Sequence, residues 1–362
     1  MTKKIVKIGV VGMHRGKNVI SEIIDDDNVV LRAICDKDPD KLEAARKYFV
    51  DDRKVNDLLC FASYEEMLNS DIDAVYIATD AMLHARQAIQ ALEAGKHVIS
   101  EIPAMDTIEE AKELKKTVNS HPELKYMVGE NCCYWAFIQT WKKMFEDGKF
   151  GEIVYAEGEY LHSADINTIE EHNYLHDRWR RDLNAIKYLT HNLGPLLYIM
   201  KDRCVSVTCM EPDIRYNPYK RASETGAALF KTEKGAVIRI LICFGAYVGF
   251  DHNFCLYGTR GSIETDRAEN LLKAHSFAKL AEIPGTHENK IEIPVTLGFA
   301  DENGKGHGGA DAKMMRAFID CIVNDTKPPL DVDLGIQMSI PGIYAHESAI
   351  NGGIPVSIPV ID

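Results

Sequence analysis

Apolar positions in the first third of the chain form short runs, separated by segments in which they recur every three or four residues. Ile5–Val11 is dominated by β-branched residues, the pattern of a parallel strand buried on both faces. The pattern predicts a turn and helix over Gly12–Ile24, a strand over Val29–Cys35 that ends at Asp36, and a helix over Asp38–Tyr48 with Leu42, Ala45 and Tyr48 at helical spacing. The alternation continues with helix Tyr64–Asn69, strand Ala74–Ala78, helix His84–Ala94 closed by Gly95, strand His97–Ser100, helix Thr107–His121 and strand Tyr126–Val128. Such repetition of strand and helix predicts an α/β, doubly wound parallel sheet.

After about Gly151 the texture changes to longer alternating strands over Ile153–Leu161, Val205–Met210, Ala227–Lys231, Ala236–Cys243 and Asn253–Tyr257. This predicts a second, α+β domain built on an open-faced, mostly antiparallel sheet. Helices are expected around Tyr188–Met200, at Ala310–Asn324 and around Gly335–Asn351. The expected division is residues 1–130 for the first domain and 131–362 for the second, with the C-terminal helix packing back on the first.

Length agrees with two domains, since 362 residues are two or at most three times an ordinary domain. Apolar residues make up 46% and charged residues 27%, enough for sizeable cores and no basis for disorder. The formal net charge of −13 opposes binding to nucleic acid or an anionic membrane surface, and no basic patch overrides it. Nine cysteines with no signal peptide ahead of them read as reduced thiols, and the expected compartment is the cytoplasm.

The first strand turns into its helix through Gly9-Val10-Val11-Gly12-Met13-His14-Arg15-Gly16. Glycines are wanted at such a turn because a pyrophosphate must approach the backbone and rest on the helix N-terminus. His14 stands where a second glycine is usual, so the fingerprint is incomplete. Its context strengthens it: 24 residues after Gly12, Asp36 ends the second strand, where a carboxylate grips a ribose 2′-hydroxyl. Asp36 therefore favours NAD over NADP, with Lys37 and Arg15 as cations that would soften the preference. If the glycines serve only a tight turn, Asp36 is a helix cap instead.

With these pieces in place the chain resembles the Gfo/Idh/MocA family, the glucose–fructose oxidoreductase-like and inositol dehydrogenase-like proteins. The resemblance rests on Val10–Gly16, Ile34-Cys35-Asp36, Ile77-Ala78-Thr79 with Leu83-His84, Ala94-Gly95-Lys96-His97-Val98, Glu101-Ile102-Pro103, Gly129-Glu130-Asn131 and Tyr257-Gly258-Thr259-Arg260-Gly261. It implies a Rossmann domain with an open-faced sheet domain, bound NAD, and hydride transfer at a sugar or polyol carbon. The cofactor residues it implies are Gly12, Met13, His14, Arg15, Asp36, Lys37, Thr79, His84, Glu101, Pro103 and Asn131.

Two departures shape the expected chemistry. The Glu-Lys-Pro lysine of the family is Ile102 here, and the Asp-x-x-x-His pair of the second domain becomes Lys187-x-x-x-His191. On one continuous helix, i and i+4 share a face. Oxidising a secondary alcohol needs a base that titrates near neutrality, which histidine does unaided and lysine does when buried. Lys187 and His191 are thus the expected proton-handling pair, with Tyr188 a third candidate. The alternative is a surface lysine beside a core histidine.

The chain also resembles a sub-branch containing NAD-dependent glycosidases and glycoside 3-dehydrogenases, through Glu-x-Pro, Glu130-Asn131, Tyr188-x-Thr190-His191-x-Leu193-Gly194-Pro195 and Gly306-His307-Gly308-Gly309. Both begin by oxidising the sugar at C3. Expected substrate contacts are Glu101, Tyr160, His162, Arg178, Trp179 and His307, with Glu159 a further acid/base candidate; the segment from His162 to Arg181 is dense in sugar-binding groups or is simply a polar loop. No cysteine or histidine spacing indicates a metal. Three functions stay open: a dehydrogenase making a 3-keto O- or C-glucoside, a redox glycosidase that also cleaves the bond, and a non-catalytic sugar or NAD sensor. A symmetric homo-oligomer is expected, because the open sheet presents a broad face.

Overall fold

The computed structural model describes residues 4–162, 181–214, 220–246, 251–265, 275–281, 290–296 and 307–361. The chain divides into two compact units. One takes Met1–Glu130, Gly309–Ile336 and Ile361–Asp362; the other takes Asn131–Gly308 and Gln337–Val360.

The first unit is a parallel sheet of β1 (Val6–Val11), β2 (Val29–Cys35), β3 (Leu59–Phe61), β4 (Ala74–Ile77), β5 (His97–Ser100) and β6 (Tyr126–Val128), in the order β3-β2-β1-β4-β5-β6. All its pairings are parallel. Ile8 and Val10 of β1, Val75 to Ile77 of β4, and Val98 and Ile99 of β5 are fully buried, which is why these strands read as apolar runs without alternation. Strand order reverses between β1 and β4, and the carboxyl ends of these two strands flank the crevice where doubly wound sheets bind ligands.

The connecting helices start where their caps dictate. Asp38 caps helix Pro39–Lys47 by accepting from the Asp40 amide at 3.0 Å, and Thr107 with Glu110 forms a reciprocal capping box ahead of helix Ile108–Ser120. The first helix is shorter than its apolar spacing predicts, Met13–Ile20. The Ser21 hydroxyl bonds back to the Lys17 carbonyl at 2.5 Å at that point, a competition with the helical ladder that short polar side chains favour. β3, a strand of three residues, carries too little pattern to be read from sequence.

In the second unit β7 (Ile153–Leu161), β8 (Cys204–Met210), β9 (Thr225–Thr232), β10 (Val237–Cys243), β11 (Asp251–Gly258), β12 (Gly261–Thr265), β13 (His275–Ala281), β14 (Lys290–Thr296) and β15 (Val356–Ser357) form one sheet. Its order is β14-β13-β12-β11-β7-β10-β9-β8-β15. Pairing is antiparallel except between β7 and β10. Alternation sorts the two faces: Ile238, Ile240, Ile242 and Phe230 are buried, whereas their neighbours Val237 and Leu229 are exposed. On the buried face, Phe137 of helix Ala136–Glu146 lies 5.8 Å from Phe254. The Asn192 amide of helix Thr190–Met200 donates to the Glu159 carbonyl at 2.6 Å.

Two late helices differ in where they belong. Ala310–Asn324 lies within the first unit, and the Lys4 ammonium bonds its Ile322 carbonyl at 2.8 Å. The C-terminal helix Val332–Ile350 starts in the first unit and passes into the second at Gln337. Among the described residues no helix is long and apolar enough to cross a membrane.

Candidate active site

The carboxyl ends of β1, β2, β4 and β5 bring together Gly12, Asp36, Thr79 and Glu101. Backbone hydrogen bonds fix this edge: Gly12 N–H to the Cys35 carbonyl at 2.9 Å, and Ala78 N–H to the Val11 carbonyl at 2.9 Å. Gly12 has φ +90°, and a β-carbon there would lie 2.3 Å from the Ala78 carbonyl oxygen. Only glycine meets both conditions. Gly16 is wanted for packing, since a β-carbon would approach Val10 Cγ1 to 2.6 Å. The helix that follows carries no acidic residue of its own in its first turn, and its positive end favours an anion.

Asp36 does not cap a helix; Asp38 does that. Its carboxylate instead accepts from the Met13 amide at 2.8 Å and the Asp38 amide at 2.9 Å, one bond on each oxygen. A carboxylate has about four acceptor positions, so capacity remains for ribose hydroxyls. The tight glycine turn, the helix N-terminus and this half-used carboxylate together fit a dinucleotide with a free 2′-hydroxyl. His14 is exposed beside the turn and Lys37 is exposed, 3.8 Å from Asp80. Thr79 donates to Gln87 Oε1 at 2.5 Å. The buried His84 ring lies between the Pro103 carbonyl, 2.8 Å from Nδ1, and the Thr79 carbonyl, 3.0 Å from Nε2. It ties two of the cradle's loops together.

Arg15 is placed differently from the loosely held cation expected near a 2′-phosphate. Its Nε donates to Glu101 at 2.9 Å, and its two terminal nitrogens grip both oxygens of Asp311 at 2.8 Å. Tyr76 donates to the same Glu101 carboxylate at 2.5 Å. Burial works against the guanidinium charge, but Glu101, Tyr76 and Asp311 more than offset it, and Arg15 is held above its already high ordinary value. The Tyr76 hydroxyl is pushed up by burial and by Glu101, so it stays a donor.

In the second unit, Tyr160, His191 and His252 form an aromatic cluster. Tyr160 and His252 are directly opposite in the β7–β11 register, which puts both side chains on one face. Their rings stack at 4.2 Å and 18°. His191 meets Tyr160 edge-on at 5.6 Å and Tyr188 edge-on at 5.2 Å, and its Nδ1 lies 3.3 Å from Cys132 Sγ. His162, exposed at the end of β7, stands 5.8 Å from Tyr160. His307 is exposed and takes φ +44° ahead of Gly308 and Gly309. Burial, followed by the neighbouring His191, His162 and His307, pushes His252 well below its ordinary value, so it stays neutral.

Three expectations are changed by this geometry. Lys187 and His191 do not ride one continuous helix: Lys187 belongs to the 3-10 turn Ala185–Tyr188, and His191 to Thr190–Met200 beyond Leu189. Tyr188 is the residue of that turn packed on His191. Glu159, opposite in side-chain direction to Tyr160, is 3% exposed and paired with Arg239 at 2.5 Å on the other face of the sheet, so it is not available for acid/base work at the cluster. Ile102, in place of the family lysine, is buried. Asn131 is buried at the start of the second unit, where its Oδ1 accepts from the Cys132 thiol at 3.5 Å. Arg178 and Trp179 lie outside the described residues. His252, Cys132 and Asp311 were missed, since no motif marks them and only strand register or chain crossing brings them in.

A parallel dinucleotide fold with an acid-terminated second strand, joined in one chain to an open-sheet unit bearing a histidine–tyrosine cluster, defines a two-domain NAD-binding oxidoreductase. Residues 6–130 match the family described as "Oxidoreductase family, NAD-binding Rossmann fold", residues 138–264 the "GFO/IDH/MocA C-terminal domain", and residues 219–361 the "Glycosyl hydrolase 109, C-terminal domain". The chain belongs to the Gfo/Idh/MocA oxidoreductase family, and its cofactor is NAD. It is 27% identical to a glycosyl hydrolase family 109 protein of Solibacter usitatus, covering 98% of this chain and 87% of that one. The fold is similar to that of scyllo-inositol dehydrogenase from Lactobacillus casei with bound NAD(H) and scyllo-inositol (TM-score 0.76, 20% identity, 98% and 99% covered). It is also similar to that of levoglucosan dehydrogenase with NADH and levoglucosan (TM-score 0.81, 20% identity, 98% and 100% covered).

Asp36→Asn removes the charge while keeping the shape, and is expected to weaken NAD binding by about 10-fold or more and to narrow the preference over NADP; cofactor titrations by fluorescence check both. Arg15→Met takes the cationic partner away from the carboxylates of Glu101 and the buried Asp311. It is expected to cost about 3 kcal/mol in chemical denaturation, and a loss under about 1 kcal/mol would contradict the structural role of the network. His252 titrates lower in the folded chain than in the unfolded one, so its contribution to stability is present above about pH 6.5 and is lost as pH falls below it. His252→Phe is expected to flatten the decline of the melting temperature between pH 6.5 and pH 5.

Proposed function

We propose that the protein is an NAD-dependent dehydrogenase that oxidises the C3 hydroxyl of a glycoside, an O- or C-glucoside, to the 3-keto glycoside. The observation that carries this reading is the cluster around His191: a titratable imidazole held edge-on by Tyr188 and Tyr160, with a neutral His252 stacked behind. Aromatic walls with a few polar groups suit a sugar ring. Bound NAD+ supplies the hydride acceptor.

The chain's own residues handle the proton and the orientation. His191 takes the hydroxyl proton as the C–H electron pair leaves, with Lys187 and Tyr188 in the turn before it as further proton-handling groups. Tyr160, His162 and His307 contact the sugar. His252 remains uncharged, which keeps a second positive charge away from the imidazolium that forms. Gly12, Met13, Asp36, Thr79 and the loops tied by His84 and Pro103 hold the dinucleotide.

A second reading, the redox glycosidase, is favoured by the glycosyl hydrolase 109 match over residues 219–361. It shares the C3 oxidation and adds elimination of the aglycone. The exposed apolar side chains Leu229, Val237 and Tyr257 on the open sheet face support a homo-oligomer, and nine free cysteines support a reducing, cytoplasmic setting.

The test is incubation with NAD+ and a panel of aryl and flavonoid glucosides, following NADH absorbance and product mass. Stoichiometric NADH with a product two mass units lighter is expected, and His191→Ala is expected to lower kcat by about 100-fold or more. Released aglycone without net NADH would select the redox glycosidase. No turnover across the panel would overturn both.

A further inference from the structure

Within the second unit, polar side chains from three separate segments meet in a line that ends at the turn carrying Lys187 and Tyr188. His346 lies in helix Val332–Ile350; its Nδ1 is 3.0 Å from Glu211 Oε1, just past β8, and its Nε2 is 3.1 Å from Asn184 Nδ2. Asn184 is the residue ahead of the 3-10 turn Ala185–Tyr188. We propose that His346 is a positioning residue that, in its Nδ1–H tautomer, ties this turn to the C-terminal helix and so sets where Tyr188 stands against His191. The proposal rests on the reading of His191 and its neighbours as the proton-handling site, and adds what holds that site in place.

The direction of each hydrogen bond follows from the groups at the two ends of the line. A backbone N–H can only donate, and that of Ser223 donates to Asn184 Oδ1 at 2.9 Å. The other terminal atom of the Asn184 amide, the one facing His346, is therefore its NH2 group. An NH2 group also only donates, so the ring offers it the Nε2 lone pair. On the other side of the ring the Glu211 carboxylate only accepts, and Nδ1 carries the hydrogen that it receives. Both ends demand the same tautomer. A hydrogen on Nε2 would face the Asn184 NH2 group donor to donor, and turning the amide over would set that group against the Ser223 N–H instead.

The turn responds to this anchor because it is closely packed on both sides. The Asn184 carbonyl accepts from the Lys187 N–H at 3.0 Å, and the Ala185 N–H donates to the carbonyl of the buried Ser223 at 2.8 Å. Gly342 precedes His346 by four residues and shares its helix face, and it lets the helix close on the turn: a β-carbon there would lie 2.9 Å from Lys187 Cα. From the sheet side, a β-carbon on Gly226 of β9 would lie 2.7 Å from Ile186 Cβ. Packing thus sets how near the turn approaches, and the polar anchor at Asn184 sets how it is rotated. Tyr188, at the far end of the turn, meets the His191 ring edge-on at 5.2 Å. A displacement of about 1 Å at a reacting group is enough to cost about 100-fold in rate. Loss of the anchor is therefore read in turnover and not in NAD binding, which the first unit provides.

The test uses the full-length protein labelled with 15N-histidine. Long-range 1H–15N spectra are expected to show His346, identified by the loss of its resonances in His346→Gln, in the Nδ1–H form. In turnover of an aryl glucoside with NAD+, His346→Leu is expected to lower kcat by about 10- to 100-fold, with KM and the NAD dissociation constant changed less than about threefold. His346→Gln, which can accept from Asn184 with Oε1 and donate to Glu211 with Nε2, is expected to recover most of the loss. The His191 resonances are expected to move in His346→Leu and to keep their wild-type positions in His346→Gln. An Nε2–H tautomer in wild type, a His346→Leu protein that keeps kcat or loses NAD affinity along with it, or a His346→Gln protein no better than His346→Leu would overturn the proposal. Because the spectra need no substrate, an Nδ1–H tautomer and displaced His191 resonances together with a fully active His191→Ala variant would instead refute the reading of His191 as base and leave the anchoring of the turn intact.

Discussion

A single guanidinium decides how the cofactor unit is assembled. Arg15, in the first turn after β1, satisfies Glu101 at the end of β5 and Asp311 at the start of a helix nearly three hundred residues later. Without it, two carboxylates held largely out of water would lose their cationic partner, a far larger penalty than the pair contributes in its favour. Tyr76 completes the arrangement by donating to Glu101 from within β4. The glycine turn, the β5 loop and the late helix are thereby held in one relation, and the edge that carries Gly12, Asp36 and Thr79 inherits its rigidity from them.

Rigidity in the second unit comes from stacking and register instead of ion pairing. Tyr160 and His252 face each other because β7 and β11 are antiparallel in that register, and a slip of one residue would turn both away. The same alternation sends Glu157 and Glu159 to the opposite face, where Arg239 neutralises them. The sheet thus separates its two chemistries: imidazole and phenol on the face covered by helices, carboxylate and guanidinium on the open one. A neutral His252 follows from this, since burial and three neighbouring imidazoles oppose a further charge. On the same face His191 is held edge-on by Tyr188 and Tyr160, with the Cys132 thiol 3.3 Å from its Nδ1.

Local patterning carried most of the fold. Strand Val29–Cys35 and helix Ala310–Asn324 have the bounds that apolar spacing predicts, and Asp36 is legible because it ends a strand 24 residues after a glycine turn. Reading failed where a local rule met a nonlocal constraint. Spacing of four places Lys187 and His191 on one face only if the helix is continuous, and Leu189 interrupts it between a 3-10 turn and an α-helix. Arg15 next to a nucleotide turn reads as a free cation, and its commitment to Asp311 is visible only when the chain returns.

The sequence by itself determined the alternation of strand and helix in the first unit, the glycine turn after β1 and the preference for NAD, because burial on two faces, turn sterics and a strand-ending carboxylate are properties of short segments. Tertiary structure decided which polar groups are partners. Cys132 with His191, Tyr160 with His252, and Arg15 with Asp311 are separated by 59, about 90 and 296 residues, and no periodicity links positions so far apart. Their pairing follows from sheet register and from the cost of leaving a buried polar group unmatched, and both exist only once the chain has folded.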